Sequence, residues 1–325
     1  MTNIKDTTTS GSSEVPTRIA KNSTKNAADG KRNVYIWDMD ETLILLKCLV
    51  NGTYAEAFNG LKDLQKGIEI GKAWEDHILR VCDNHFFYEQ IENHNTPTLH
   101  ALTQYDDGRE LSDYDFNQDG FSSLHDDSSK RKLAYRHRAA VHKYKLGLQG
   151  ILDQGTVEVL DDLYAVTDTY TDRWFSSAQK LLEEISGSIN DSNGCLASAN
   201  VTPESADTKI EHIHVIVTSG SLIPSLAKCL LFRLDHLIPH ENVYSSLDVG
   251  KVQCFSWIEK RFDGPNTQFC VIGDGWEECE GAQAMKWPFV KIDPHQGGGH
   301  SFPGLTPKTL NYYLSVVYGN SDTEI

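Results

Sequence analysis

Residues 34–37, Val-Tyr-Ile-Trp, are apolar without alternation and stop at once on Asp38-Met39-Asp40-Glu41-Thr42. An unbroken apolar run of this length fits a strand buried on both faces, and the abrupt charge marks its emergence into a polar loop. A second such run, residues 213–217, comes only much later and ends in Thr218-Ser219-Gly220. From there the rhythm is regular. The spacing predicts a helix over 222–232, a strand near Val243, a helix over 251–261 and a strand over 269–272. A helix to about Met285, a strand over 289–292 and a helix over 307–316 follow. Strands alternating with helices of about ten residues predict βαβ units: a doubly wound α/β core with a parallel sheet. Ligands of such sheets bind beyond the carboxyl ends of the strands.

The stretch between the first two strands, residues 45–205, has a different texture. Apolar residues at i, i+3 and i+4 recur in Ile70, Trp74, Ile78 and Cys82, and again from Leu133 to Tyr144. From Val159 to Ile185 they run on for about seven turns, which predicts one long amphipathic helix. The expected organisation is therefore a core made of residues 33–44 and 206–325, interrupted by a helical cap domain over 45–205. Residues 1–32 are polar and read as a disordered tail, and 187–208 as a polar surface loop.

Charge limits the partners. The chain of 325 residues has 46 acidic and 30 basic side chains, a net charge of −16. The tail is weakly basic, so the rest is more acidic still. Such a surface repels polyphosphate backbones and attracts cations, which argues against direct nucleic-acid binding. Apolar runs such as 43–46 and 229–232 fall far short of the ~18 residues a membrane span needs, and no secretory signal is readable. Seven scattered cysteines without a C-x-x-C pair suit a reducing compartment, cytoplasmic or nuclear.

Four motifs carry chemistry. Asp38 and Asp40, two residues apart at the carboxyl end of a strand, can hold a divalent cation and still offer a free oxygen. Thr218 follows the second strand, and Ser219 and Gly220 place backbone N–H groups where a phosphate oxygen is stabilised. Lys251 opens a helix, where the dipole disfavours a cation and a specific role is worth seeking. Asp274 lies between Gly273 and Gly275, whose lack of a Cβ allows close approach, and Glu277 and Glu278 follow. Each taken alone also has an ordinary structural explanation: a charged turn, an N-cap, an exposed lysine.

In this order the motifs resemble motifs I to IV of the haloacid dehalogenase superfamily. With Asn51-Gly-Thr-Tyr-Ala, Asp119-Gly-Phe and Arg131-Lys-Leu-Ala-Tyr-Arg of the insert, they resemble more closely the Eyes absent family of protein tyrosine phosphatases. Met39 stands where Leu is usual, and Ser219-Gly220 where further Thr residues are common. The long N-terminal transactivation region of the animal members has no expected counterpart.

The resemblance implies an aspartate-based, Mg2+-dependent phosphatase. Asp38 would be the nucleophile, forming an aspartyl-phosphate, and Asp40 the general acid and base. Asp38, the backbone carbonyl of Asp40, and Asp274 would hold one Mg2+ per chain. Thr218, Ser219 and Lys251 would bind the phosphate, and Glu278 would support Lys251 or a metal-bound water. The implied substrate is a phosphotyrosine protein or peptide, and the helical cap is a candidate surface for a protein partner. A small-molecule phosphatase and a partner-recruiting co-regulator with a vestigial site are the alternatives.

Rival chemistries fail on the same string. No cysteine has an Arg six positions on, and there is no P-loop and no H-E-x-x-H. Residues 115–126 match several EF-hand positions, but Asp126 replaces the bidentate Glu and no helix is expected before them. A basic helix over 130–145 follows the acidic stretch 105–129. The two are expected either to neutralise one another or to present Arg136 and Arg138 at the mouth of the site, where they would attract acidic phosphopeptides.

Overall fold

The computed structural model describes residues 30–187, 210–295 and 299–319. The expected tail before Gly30 and the polar loop after Gly187 lie outside the described residues. β1 (Arg32–Trp37) is followed by α1 (Lys47–Val50), α2 (Thr53–Ala57), α3 (Leu64–Phe86), α4 (Tyr88–Ile91), α5 (Asp127–Ile151), α6 (Gln154–Tyr170) and α7 (Trp174–Ser186). Then come β2 (Glu211–Thr218), α8 (Leu222–Leu231), β3 (Val243–Ser245), α9 (Lys251–Phe262), β4 (Thr267–Gly273), α10 (Trp276–Met285), β5 (Phe289–Lys291) and α11 (Pro307–Tyr318).

The five strands form one parallel sheet in the order β3-β2-β1-β4-β5, so β1 lies at its centre. Ile36 pairs in register with Val215 on one side and Val271 on the other. The pleat sends successive side chains of β1 to opposite faces. Val34 and Ile36 pack with Cys254, Phe255 and Ile258 of α9 and Ala282 of α10. Tyr35 and Trp37 belong to a larger core that runs without a break from α8 into α3, α5, α6 and α7. Strands covered on both faces explain why their sequence does not alternate.

The segment between β1 and β2 carries helices α1 to α7 on either side of a largely irregular stretch over 92–126, but not as the periodicity predicts. The single helix expected over 159–185 is two, because Asp172 and Arg173 take left-handed φ values of 53° and 66°. Local contacts fix the break: Arg173 donates its amide to the Asp168 carbonyl at 2.7 Å, and the Asp168 carboxylate accepts the Ser176 amide at 2.9 Å. The apolar spacing continues across the turn, so it gives no sign of it. α5 likewise changes direction at Gly147, whose φ is 70°.

The basic helix is engaged by the acidic stretch that precedes it. Arg136 is buried; its guanidinium donates to both oxygens of Asp119, at 2.7 and 3.2 Å, to the Phe116 carbonyl at 2.7 Å and to Gln90 at 2.9 Å. Arg138 pairs with Asp106 at 2.9 Å. The acidic stretch thus folds against the basic helix, and Asp119, one of the calcium-loop positions, is engaged by Arg136.

Candidate active site

β1, β2 and β4 all deliver their last residues to one end of the sheet. The Asp38 amide donates to the Ile272 carbonyl at 2.8 Å, extending the β1–β4 ladder by one residue and fixing where the Asp38 side chain leaves the sheet. Beyond it the chain turns sharply: Leu43 and Ile44 donate to the Met39 carbonyl, both at 3.0 Å. Glu41 takes a left-handed φ of 60°. Its carboxylate accepts the amides of Leu46, Lys47 and Cys48 at 3.2, 2.8 and 3.3 Å, so it caps α1, which has no other side-chain cap. Glu41 was not singled out from the sequence, although it lies inside the D-x-D-x-T motif.

The two aspartates of that motif diverge. Asp38 is buried, and one carboxylate oxygen accepts Lys251 Nζ at 2.6 Å. Lys251 is itself 5% exposed and also pairs with Glu278. This accounts for a cation in the first turn of α9: two carboxylates surround it. Gly273 and Gly275 make room for the second. A Cβ on either would stand 2.5 Å from the Glu278 side chain. The glycines thus make room for Glu278 beside Asp274. Burial raises the Asp38 carboxyl to about 6; Lys251 opposes this, and the charges of Asp274 and Asp40 add to it. Burial likewise raises Asp274, with Lys251 and Lys291 opposing and Asp40 adding. Burial, more than the neighbouring charges, keeps both carboxyls high.

Asp40 turns to the other layer. Both of its carboxylate oxygens accept Lys228 Nζ of α8, at 2.6 and 2.9 Å. Lys228 escaped the sequence reading, although a lone charge in the apolar run of α8 was a signal.

Thr218 is buried at the end of β2. Its carbonyl accepts both the amide and the hydroxyl of Ser246, at 2.8 and 3.0 Å. Its hydroxyl accepts the Gly220 amide at 3.1 Å. The Ser219 hydroxyl donates to Glu277 at 3.0 Å, and α8 starts later than Ser219, with Ser221 as its N-cap. The amide of Gly220, expected to face a phosphate, is therefore engaged within the protein, and so is the Ser219 hydroxyl. A cavity of about 310 Å3 opens beside Asp274, bounded by Lys47, Asn51 and Thr53 on one side and by Lys291 and His295 on the other.

No family model matches the chain. It is 58% identical over 296 residues to "Protein phosphatase EYA" of Arabidopsis thaliana, covering 91% of this chain and 94% of that protein. It is 32% identical over 278 residues to "Protein phosphatase EYA2" of Homo sapiens, covering 81% of this chain and 47% of that one. The corresponding protein of Drosophila melanogaster is 31% identical over 301 residues, covering 86% and 36%. The chain thus spans nearly all of the plant relative and less than half of these two animal proteins. A solved haloacid dehalogenase-like hydrolase from Xanthomonas campestris overlays with a TM-score of 0.36 and 10% identity, too loose a likeness to build on.

Proposed function

The chain belongs to the Eyes absent family of protein phosphatases, and on that premise we propose that it is a Mg2+-dependent protein tyrosine phosphatase with Asp38 as its nucleophile. The observation that carries this reading is the state of Asp38: buried, held by one lysine, and set among further carboxylates at the carboxyl end of the central strand.

The donor chemistry fits Mg2+. This ion takes hard oxygen ligands, commonly one or two carboxylates, and fills the rest of its octahedron with waters and phosphate oxygens. Asp38 and Asp274 offer the carboxylates, and Asp40 its backbone carbonyl. Among the described residues no three His, Cys, Asp or Glu side chains form a metal cage, and an ion held by two carboxylates needs none. When bound, Mg2+ screens the phosphate charge from the approaching carboxylate.

The residues then divide the work. An Asp38 oxygen attacks phosphorus, the bond from phosphorus to the phenolic oxygen breaks, and an aspartyl-phosphate forms. Asp40 gives a proton to the departing oxygen and next takes one from the water that attacks phosphorus. Inorganic phosphate leaves and Asp38 is restored. Lys251, braced by Glu278, and Thr218 hold the equatorial oxygens, where transition-state charge spreads. With its hydroxyl on Glu277, Ser219 contributes through its backbone. A phenolate, with a conjugate acid of pKa ~10, leaves more readily than a serine alkoxide, so one modest acid suffices.

A protein partner on the helical insert and a reducing, cytoplasmic or nuclear setting complete the reading. The described cysteines are free and no described helix is long and apolar enough to cross a membrane. The test is hydrolysis of p-nitrophenyl phosphate by the purified chain with and without Mg2+, followed by matched phosphotyrosine and phosphoserine peptides. Mg2+-dependent turnover that prefers phosphotyrosine is expected. Equal turnover of the two peptides would reject the substrate class, and metal-independent turnover would reject the metal.

A further inference from the structure

The central strand presents two aspartates, and each is taken by a lysine from a different layer of the fold. Lys251 comes from α9, packed on one face of the sheet, and Lys228 from α8, packed on the other. The α9 lysine lies where a phosphate binds; the α8 lysine has no part in the reading above. Its ammonium nevertheless contacts both oxygens of Asp40, a stricter arrangement than a single contact and a short one. Its side chain is 13% exposed, although it lies in a helix whose other members are mostly buried and apolar. Bringing a lysine there is unfavourable without a specific partner.

The Asp40 carboxylate is one-third exposed. It lies two residues from Asp38, and its charge acts on both Asp38 and Asp274. Left unrestrained, it is a third carboxylate within reach of the same cation. On that cation it could not also serve the leaving group. We propose that Lys228 is a positioning residue for the reaction: it holds the Asp40 carboxylate on the α8 side, where it serves proton transfer, and leaves only the Asp40 main-chain carbonyl for the metal. This rests on the phosphatase reading and adds to it the assignment of Lys228.

Three predictions separate this role from simple charge neutralisation. Lys228→Met lowers kcat on p-nitrophenyl phosphate by about 10- to 100-fold, part of the roughly 10^2- to 10^4-fold that general acid–base catalysis supplies, and changes KM by less than about twofold. Lys228→Arg, which keeps a two-pronged donor, restores most of the rate. The third readout needs no turnover: Mn2+ binding to the resting protein, followed by electron paramagnetic resonance, tightens several-fold in Lys228→Met as Asp40 joins the metal.

Because Lys228 acts through Asp40, both effects vanish when Lys228→Met is made in an Asp40→Asn background. Lys228→Gln, which keeps a hydrogen bond without the charge, serves if the Met variant does not fold, with a smaller loss in the same direction. The inference is overturned if Lys228→Met turns over like the wild type, if its kcat loss persists beside Asp40→Asn, or if Mn2+ affinity is unchanged. Failure of the phosphatase reading looks different: the wild-type chain is then inactive with Mg2+, or stays active as Asp38→Asn.

Discussion

Asp38 and Asp119 are both buried carboxylates paired with a cation, yet the protein treats them in opposite ways. Asp119, in the helical insert, receives both prongs of Arg136, the Tyr114 hydroxyl at 2.9 Å and the Phe121 amide at 2.9 Å. Burial raises its carboxyl, but these hydrogen bonds outweigh burial and leave it below the ordinary carboxylate value. Asp38 receives one ammonium, shared with Glu278, and faces other carboxylates; burial prevails and its carboxyl rises to about 6. The Arg136–Asp119 pair is saturated and holds α4 and the loop over 114–121 to α5. The Lys251–Asp38 pair is unsaturated, and an oxygen that is not fully hydrogen-bonded is what a nucleophile needs.

The contrast breaks most severely at Asp38. Asp38→Asn keeps the shape and removes the nucleophile, so turnover should fall by on the order of 10^4 or more, as when other nucleophiles are removed. Steady-state kinetics on p-nitrophenyl phosphate reads it, and activity within tenfold of wild type would refute the assignment. The melting temperature should stay or rise, because a poorly satisfied buried charge is gone.

Arg136→Met is the mirror experiment. It leaves Asp119 buried without its cation and should cost about 3–5 kcal/mol of stability. Urea unfolding measures this, while turnover per folded molecule stays at the wild-type level. A loss of less than about 1 kcal/mol would mean that the pair is not the structural device described.

Much of this was legible in the sequence, for identifiable reasons. Runs buried on both faces, such as 34–37 and 213–217, revealed the parallel sheet because their register is internal to each strand. Polar residues at strand ends drew attention to Asp38, Thr218 and Asp274, and the dipole mismatch to Lys251, and the fold brings these to one end of the sheet. What stayed hidden depends on pairing across the chain. Lys228 meets Asp40 from 188 positions away. Arg136 and Arg138 read as one basic face, but only the fold reveals that Arg136 is enclosed by Phe116 and Asp119. The break at Asp172 and Arg173 depends on hydrogen bonds to Asp168 that apolar periodicity does not register.

Acid should resolve two classes of buried group. His137 in the insert and His214 at the seam between β2 and α7 are both lowered to about 4, chiefly by burial. His214 lies between the Trp37 indole N–H and the Leu182 carbonyl, each at 3.1 Å. Below about pH 6.5 the unfolded chain binds protons that the folded histidines refuse. Each therefore costs stability as pH falls from about 6.5 to about 4, roughly 3 kcal/mol at most. Asp119 has the opposite origin: its lowered carboxyl contributes stability that is present above about pH 4 and lost below it, as the pH falls through the folded value. Asp119→Asn should flatten only the limb below about pH 4 and His214→Gln only the limb above it. A single limb moved by both substitutions would contradict the separation.

The smallest effect is expected at Arg138, and it bears on what the insert's basic helix is for. Arg138 is about one-third exposed and pairs with Asp106, so it belongs with surface ion pairs worth about 0–1 kcal/mol. Its partner is the acidic stretch folded against α5, and Arg136 beside it in sequence is sealed from solvent. Arg136 is then unavailable to an acidic phosphopeptide, and Arg138 already has a carboxylate partner. Arg138→Glu should leave kcat/KM on phosphotyrosine peptides of differing charge within about twofold of wild type at every ionic strength, and lower the melting temperature by no more than a few degrees. A loss confined to acidic peptides and strongest at low salt would put this helix back at the mouth of the site, and would make the insert a substrate-recruiting surface as well as a scaffold.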